Sequence, residues 1–393
     1  MRPSTHRSRR MPDLWITSAE TDREILEFIQ FPWKVYRNDA YWVPPLISER
    51  RTFLNRAKNP FFQHGRAEYF LARRDGRVVG TIAAFTNDLY NEFQRVNTGF
   101  FGFFEVLDDP EAARALLDTA EAWARQAGHK DLLGPAQFST NDEVGLLVDG
   151  FDDAPRILMT YNPRRYIGYL EAAGYKKAMD LWAYQIPLTR FKQDAGFPPK
   201  LVRVVEKVRE RGKLHVRRLN MNDFDAEVNR VKKVYNRSWE RNWGFVPMTD
   251  LEFDHMGSQL KSIIDPELVV IVEAAGEMVG FGLTLPDLSE PLRLAYPRPG
   301  SLEALTMLKL AWHWKVRRRV KWIRVFALGV LPEYRGQGVD ALMYLETARS
   351  GLRRGYQMAE MSWILENNMM MNRGIRFMGG EVYKTYRMYE KRL

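Results

Sequence analysis

The sequence predicts an α/β protein built from two copies of one plan, each a mixed, mostly antiparallel sheet flanked by helices. Three observations carry this. Residues 323–330 are β-branched and apolar, Pro332 breaks the run, and Arg335-Gly336-Gln337-Gly338 forms a loop. Ala341, Leu342, Leu345, Ala348 and Leu352 then recur at helical spacing. The order hairpin, strand, helix, strand, helix, terminal strand occurs twice, at a spacing of roughly 190–200 residues. A chain of 393 residues with 45% hydrophobic and 13% aromatic content can fill two cores.

Taken in order, residues 1–10 contain Arg2, Arg7, Arg9 and Arg10 and no apolar run, which predicts a disordered basic tail rather than a secretory signal. The first domain spans 11–190. A helix begins at Ile25. Phe31-Pro32-Trp33 and Tyr41-Trp42-Val43-Pro44-Pro45-Leu46 are rigid aromatic–proline knots that fill a core or line a pocket. Residues 69–73 and 78–85 flank Asp75-Gly76, a hairpin turn pair. A strand follows at 99–106. Pro110 opens a helix to 127 with Ala113, Leu116, Leu117, Ala120 and Trp123 on one face. Residues 131–138 predict a strand, Asn162-Pro163 opens a helix closed by Gly174-Tyr175, and 178–186 end the half as a strand.

Residues 191–213 form a linker. Pro198-Pro199 marks the boundary, and the basic helix 200–212 docks through Leu201, Val205 and Val208. The second domain spans 214–393. Its hairpin is 268–274 and 278–285 around Gly276. After the loop and helix, 358–365 is a buried strand broken by Glu366-Asn367-Asn368. A helix at 369–378 ends at Gly379-Gly380, and 381–391 is the final strand.

Composition narrows the chemistry. The absence of cysteine excludes disulfides, thiolate metal sites and a Cys nucleophile, and the six histidines are scattered, so no metal is expected. A formal charge of +10 suits an anionic partner: a phosphate-bearing cofactor, an anionic membrane or a nucleic acid. No apolar run reaches the ~18 residues of a spanning helix. The simplest location is the cytoplasm, with a peripheral place at the inner membrane face as the alternative.

The glycine loop carries the most specific signal. Loops between a strand and a helix leave backbone N–H groups unpaired, and the helix N-terminus adds positive potential. Together these form a pyrophosphate cradle, which Gly336 and Gly338 allow a phosphate to approach. The segment resembles motif A of the GNAT superfamily of acyl-CoA-dependent N-acyltransferases, Arg/Gln-x-x-Gly-x-Gly/Ala. Arg335 and Gly338 match it, and Asp340 stands where Gly or Ala is usual. The order of elements on either side also resembles that family, over nearly the whole chain.

The resemblance implies acyl-CoA, acetyl-CoA or another, held by Leu328, Val330, Arg335, Gly336, Gln337, Gly338, Val339 and Asn368. A backbone N–H near 328–330 would polarise the thioester carbonyl. The implied reaction is direct acyl transfer to a primary amine, first of all N-acetylation. The family's usual acid, a Tyr on the last helix about four residues before its terminal Gly, is replaced here by Ile375. Tyr383, Tyr386 and Tyr389 lie nearby, and Tyr383 is the candidate carried forward. The first copy has Leu107-Asp108-Asp109-Pro110 in place of the glycine loop. It is therefore expected to shape the acceptor site without binding CoA.

An amine has an unperturbed pKa of about 10 and must lose a proton before attack. A carboxylate raised by burial can take it. Glu143, Asp142 and Glu366 are the candidates, each with a turn or capping role as its structural alternative. Residues 301–322 mark a second feature. Leu302, Leu305, Leu308 and Ala311 share a helical face, followed by Trp312, Trp314, Lys315, Arg317, Arg318, Arg319, Lys321 and Trp322. A core helix with a basic end, a membrane-surface helix, and last a nucleic-acid contact all fit. Two rival functions follow. One is long-chain N-acylation of a lipid amine at a membrane surface. The other is a non-catalytic tandem binding module. The amine acceptor itself is not specified by the sequence.

Overall fold

The computed structural model describes residues 13–191 and 196–393. The expected tail 1–10 lies outside the described residues, as does part of the linker 191–213. The N-terminal half runs β1 (Leu14–Ser18), α1 (Asp22–Gln30), α2 (Pro32–Val35), α3 (Ile47–Phe53), β2 (Gly65–Arg74), β3 (Arg77–Asn87), α4 (Asp88–Gln94), β4 (Thr98–Val106), α5 (Pro110–Gln126), β5 (Asp131–Gly134), β6 (Leu146–Asp149), α6 (Arg165–Ala172) and β7 (Lys176–Pro187). Helix α7 (Pro199–Glu210) connects the halves. The C-terminal half runs β8 (Leu214–Arg218), α8 (Phe224–Trp239), α9 (Asp250–Leu260), β9 (Val270–Ala274), β10 (Glu277–Pro286), α10 (Ser289–Ala295), α11 (Glu303–Ala311), β11 (Trp322–Val330), α12 (Val339–Arg353), β12 (Met358–Leu365), α13 (Met369–Phe377) and β13 (Glu381–Arg392). Among the described residues no helix is long and apolar enough to cross a membrane.

Local chemistry repeats between the halves. Asp75-Gly76 joins β2 to β3 and Ala275-Gly276 joins β9 to β10, both as pairs of left-handed residues. Such two-residue turns match the twist of a hairpin. Buried Leu201, Val205 and Val208 seat α7 against the body, as the linker helix was expected to sit. The strand expected at 131–138 stops at Gly134. Pro135 cannot donate to the ladder, and the chain turns there over Gly102.

The strands form one continuous sheet in the order β1-β2-β3-β4-β5-β13-β7-β12-β11-β10-β9-β8, with β6 paired to β13. The halves thus share their terminal strands. β13 lies between β5 and β7, and β7 lies between β13 and β12. Each half completes its sheet only with a strand of the other.

In both halves the central parallel pair diverges. β4 meets β5 only at 98–100 and 131–133. β11 meets β12 only at 322–325 and 358–361. In the N-terminal half the wedge is filled by backbone. The Ala136 N–H donates to the Phe101 carbonyl at 2.9 Å, and a Cβ on Gly102 would collide with the Ala136 carbonyl oxygen. In the C-terminal half, 326–330 diverges from 362–365 and the wedge stays open as part of a cleft.

Candidate active site

The cleft has a volume of about 790 Å³ and is mostly apolar. It begins in the C-terminal wedge, where Leu328, Tyr344, Thr347, Asn368 and Ile375 line it. It continues beneath the shared strands to Phe28, Trp42, Phe53 and Phe103 of the N-terminal half. The aromatic–proline knots therefore do both jobs weighed for them: Phe31 and Trp42 are buried, and Pro32, Trp42, Val43, Pro45 and Leu46 face the cleft.

At the wedge, the Leu331 N–H donates to the Val279 carbonyl at 2.9 Å. Alternation along an antiparallel ladder then turns the N–H groups of Leu328 and Val330 toward the open side. The loop 331–338 ends at Gly338, which begins α12 in a left-handed conformation and offers its N-terminus no side-chain cap. The matching helix of the other half caps itself: the Asp109 carboxylate accepts from the Ala112 N–H and pairs with Arg74. Of these two helices, α12 is the one whose N-terminal N–H groups are left to an anion.

The glycines of the loop differ. A Cβ on Gly336 would meet open space, whereas a Cβ on Gly338 would lie 2.6 Å from Val208 Cγ2 on α7. Gly338 is needed by packing as well as by any ligand. Arg335 donates to the Ser238 carbonyl at 2.6 Å, and Gln337 to the Glu333 carbonyl at 2.8 Å, so both brace the loop. Val339 is buried beneath it. Asp340 lies in the first turn of α12, where the helix dipole favours a negative charge. Asn368 caps α13 by accepting from the Met371 N–H.

Tyr344 was not foreseen. It projects from α12 into the cleft, with its hydroxyl 3.2 Å from the Met371 sulfur. Burial raises its pKa. The phenol therefore reaches α13 one turn before Ile375, from the opposite helix.

The polar part of the cleft is built on 137–143. Asn141 is fixed to the C-terminal half: Tyr235 donates to its side-chain oxygen at 2.7 Å, and its amide donates to the Val246 carbonyl at 3.1 Å. Arg50 of α3 donates to Glu143 at 3.0 Å and also contacts Gln137, and Gln137 donates to Glu143 at 2.7 Å. Glu49 pairs with the same guanidinium at 3.2 Å. Asp142 stands beside them, and its carboxyl takes no hydrogen bond from the described residues. Burial pushes its pKa well above the carboxylate range, and the Glu252 and Glu143 carboxylates push it further. Burial likewise raises Glu49. The one guanidinium is thus shared by Glu49 and Glu143, and burial with like-charged neighbours holds Asp142 toward its neutral form. The sequence pointed to Asp142 and Glu143, but nothing in it singled out Glu49 or Arg50, which lie far away in the chain.

Two candidates stand apart from this group. Glu366 accepts from Lys177 at 2.7 Å and from the Asp180 N–H at 3.1 Å, and it does not line the cleft. It braces β7 against β12. Tyr383 donates to buried Glu360 and stacks on Trp322, with ring centroids 6.1 Å apart. It also lies outside the cleft lining and instead lines a separate pocket with Tyr41, Asp149 and Arg164. Glu360 belongs to a buried network that ties the halves together. Arg324 donates to the Ile157 and Leu158 carbonyls at 2.6 and 3.0 Å and to Ser362 Oγ at 2.8 Å. The Arg156 guanidinium lies 3.7 Å over the Trp322 ring.

No family model matches the sequence. Among curated proteins, the chain is 36% identical over 374 residues to protein YghO of Escherichia coli K12, covering 94% of this chain and 93% of that one. It is 35% identical over 386 residues to the bacterial ceramide synthase of Caulobacter vibrioides, covering 97% and 98%. Among solved structures, a tandem GNAT protein from the clavulanic acid biosynthesis pathway superposes with a TM-score of 0.57 at 13% identity, over 97% of this chain and 98% of that one. A GCN5-related N-acetyltransferase from Sphaerobacter thermophilus gives 0.52 at 15% identity, over 98% and 97%. These likenesses show the fold, and the two curated relatives share nearly the full length. The chain belongs to the family of tandem GNAT-fold acyltransferases that includes the bacterial ceramide synthase of Caulobacter vibrioides.

Proposed function

We propose that this protein moves a long-chain acyl group from CoA to the primary amine of a sphingoid base, forming the amide of a ceramide-class lipid. The observation that carries this reading is the cleft. At about 790 Å³ it lies in the upper part of the ~300–1,000 Å³ range of small-molecule sites. Its walls are aromatic and aliphatic, which an acetyl group and a small polar amine would leave largely unused. The full-length likeness to a ceramide synthase supports the same substrate class.

In this reading the CoA pyrophosphate rests on the loop 331–338 and the N-terminus of α12. The thioester lies in the wedge beside the N–H groups of Leu328 and Val330, which stabilise the oxyanion. The ammonium of the acceptor loses a proton to Asp142. The free amine attacks the thioester carbonyl, the C–N bond forms and the C–S bond breaks. The Tyr344 hydroxyl gives its proton to the departing thiolate, and the second proton of the nitrogen passes to the phenolate so formed, restoring the hydroxyl. Glu143, held by Arg50 and Gln137, lines the path of the incoming ammonium. The N-terminal half shapes the acceptor site and, with its wedge filled, takes no CoA.

Turnover of sphinganine with acetyl-CoA, decanoyl-CoA and palmitoyl-CoA, read as free thiol release and amide product, tests the proposal. Long acyl groups are expected to give the higher kcat/KM. Turnover confined to acetyl-CoA, or no thiol release with any of them, would sink it.

The loop predicts a second result. Gly336 has a φ of +72° and open space around it. Asn and Asp both tolerate this conformation. Gly336→Asp is expected to weaken CoA binding by about tenfold or more through repulsion, while Gly336→Asn stays near the parent. Titration calorimetry with CoA separates them, and equal affinities for the two variants would remove the loop as the phosphate site. Gly338 is a poorer probe, because any side chain there strikes Val208.

A further inference from the structure

The helix α11 is amphipathic in the wrong direction for a core helix. Leu302, Leu305, Leu308 and Trp312 follow at helical spacing, yet they are 72%, 54%, 67% and 52% exposed. Val316 extends the ridge into the turn that follows. Thr306 is the buried residue of α11. The core reading of this stretch is therefore not what the fold adopts. Trp322 is half-buried between Arg156 and Tyr383.

Beside the ridge stand Lys309, Lys315, Arg317, Arg318, Arg319 and Lys321, all exposed. None of these six forms an ion pair among the described residues, and Lys315 instead lies 3.4 Å over the Trp314 ring. Glu303, the acid of the stretch, is taken by Ser48. The same helix also reaches the cleft: Met307 and Leu310 line it together with Leu292 of α10, and Met307 is itself exposed. The cleft thus meets the surface at α11.

We propose that the α11 face docks on an anionic lipid bilayer, with the mouth of the cleft opening onto the leaflet so that acyl chain and lipid amine enter from the membrane. The ridge enters the headgroup–acyl boundary as an interfacial helix does, and the six cations meet anionic headgroups. A second copy of the chain on this face would bring twelve like charges together, which argues for lipid over self-association. The entry route rests on the function proposed above; the docking itself does not.

Co-sedimentation with vesicles of phosphatidylcholine containing about a third phosphatidylglycerol tests the docking. Binding is expected at low salt, to weaken several-fold in about 0.5 M salt as surface charge is screened, and to be weak on pure phosphatidylcholine. The variant Leu305→Asp, Leu308→Asp and the variant Arg317→Ser, Arg318→Ser, Arg319→Ser are each expected to stay in the supernatant. These side chains are exposed, so thermal melts should match the parent, and turnover of substrates presented in detergent micelles should persist. The proposal is overturned if the parent fails to bind at low salt, or if the leucine variant binds as the parent does. A parent dimer that the leucine variant splits would also overturn it, because the face would then be a self-interface. Binding that survives without turnover of any acyl-CoA would instead count against the acyltransferase reading alone.

Discussion

Replacing Asp142 by Asn is expected to lower kcat/KM by about 10²–10⁴-fold, the range for removal of a general base, with the fold retained. The side chains match in size, and the carboxyl makes no hydrogen bond within the described residues that the change would break. Thermal stability gives an independent check on this variant. Burial raises the Asp142 pKa in the folded state. Stability from such a group is fully present below its unfolded pKa and is lost as pH rises through the folded one. The Asn variant lacks that loss, so near neutral pH it should melt no lower than the parent. Activity of the parent should rise with pH as Asp142 ionises, with the acid limb displaced above the ordinary carboxylate range. In the variant that limb should disappear. A variant with parental kcat/KM, or a parental acid limb retained in it, would move the base elsewhere in the carboxyl group of Glu49 and Glu143. Glu105 is a different case. Burial lifts it to about 8, but hydroxyls of Tyr36 and Tyr166, each at 2.9 Å, already satisfy it.

Removing β13 is expected to abolish folding of both halves. Truncation before Glu381 takes out the strand that pairs with β5, β6 and β7 at once. It also removes Lys384, which donates to the Asp153 and Ala154 carbonyls at 2.9 and 2.6 Å, and Arg387, which pairs with Asp180 at 2.7 Å. Buried Tyr386 and Met388 leave the N-terminal core with it. For the same reason residues 11–190 expressed alone lack an inner strand, and 214–393 alone lacks the β7 on which β12 pairs. Circular dichroism and size exclusion should show each fragment unfolded or aggregated, and co-expression should restore a soluble complex. A monomeric, cooperatively melting 11–190 fragment would show that the strand exchange is dispensable.

Much of the fold was legible in the chain because it follows from local chemistry. The two-residue turns at Asp75-Gly76 and after Ala274, the Pro110 helix start, and the spacing of Ala341 to Leu352 each require one backbone path. The strand at 358–365 and the helix after it lie where their patterns put them. The glycine loop and its free helix end were legible for the same reason.

What the sequence determined, then, was the repeated plan, the glycine loop that opens α12, and the carboxylates of 137–145. Tertiary structure alone decided which strand completes which half, because β13 pairs with β5 and β7 pairs with β12 across a distance in the chain that no local pattern encodes. It decided that Glu366 is an ion-pair brace while Asp142 faces the cleft, since both lie after strand ends and only packing aims them. It brought Arg50 and Glu49 from a distant helix, and Tyr344 from α12 to the place where the family pattern looked on α13. It also left the leucine face of α11 uncovered. Periodicity shows that a helix has an apolar side, but whether that side meets protein depends on the surfaces that the rest of the chain has left to cover it.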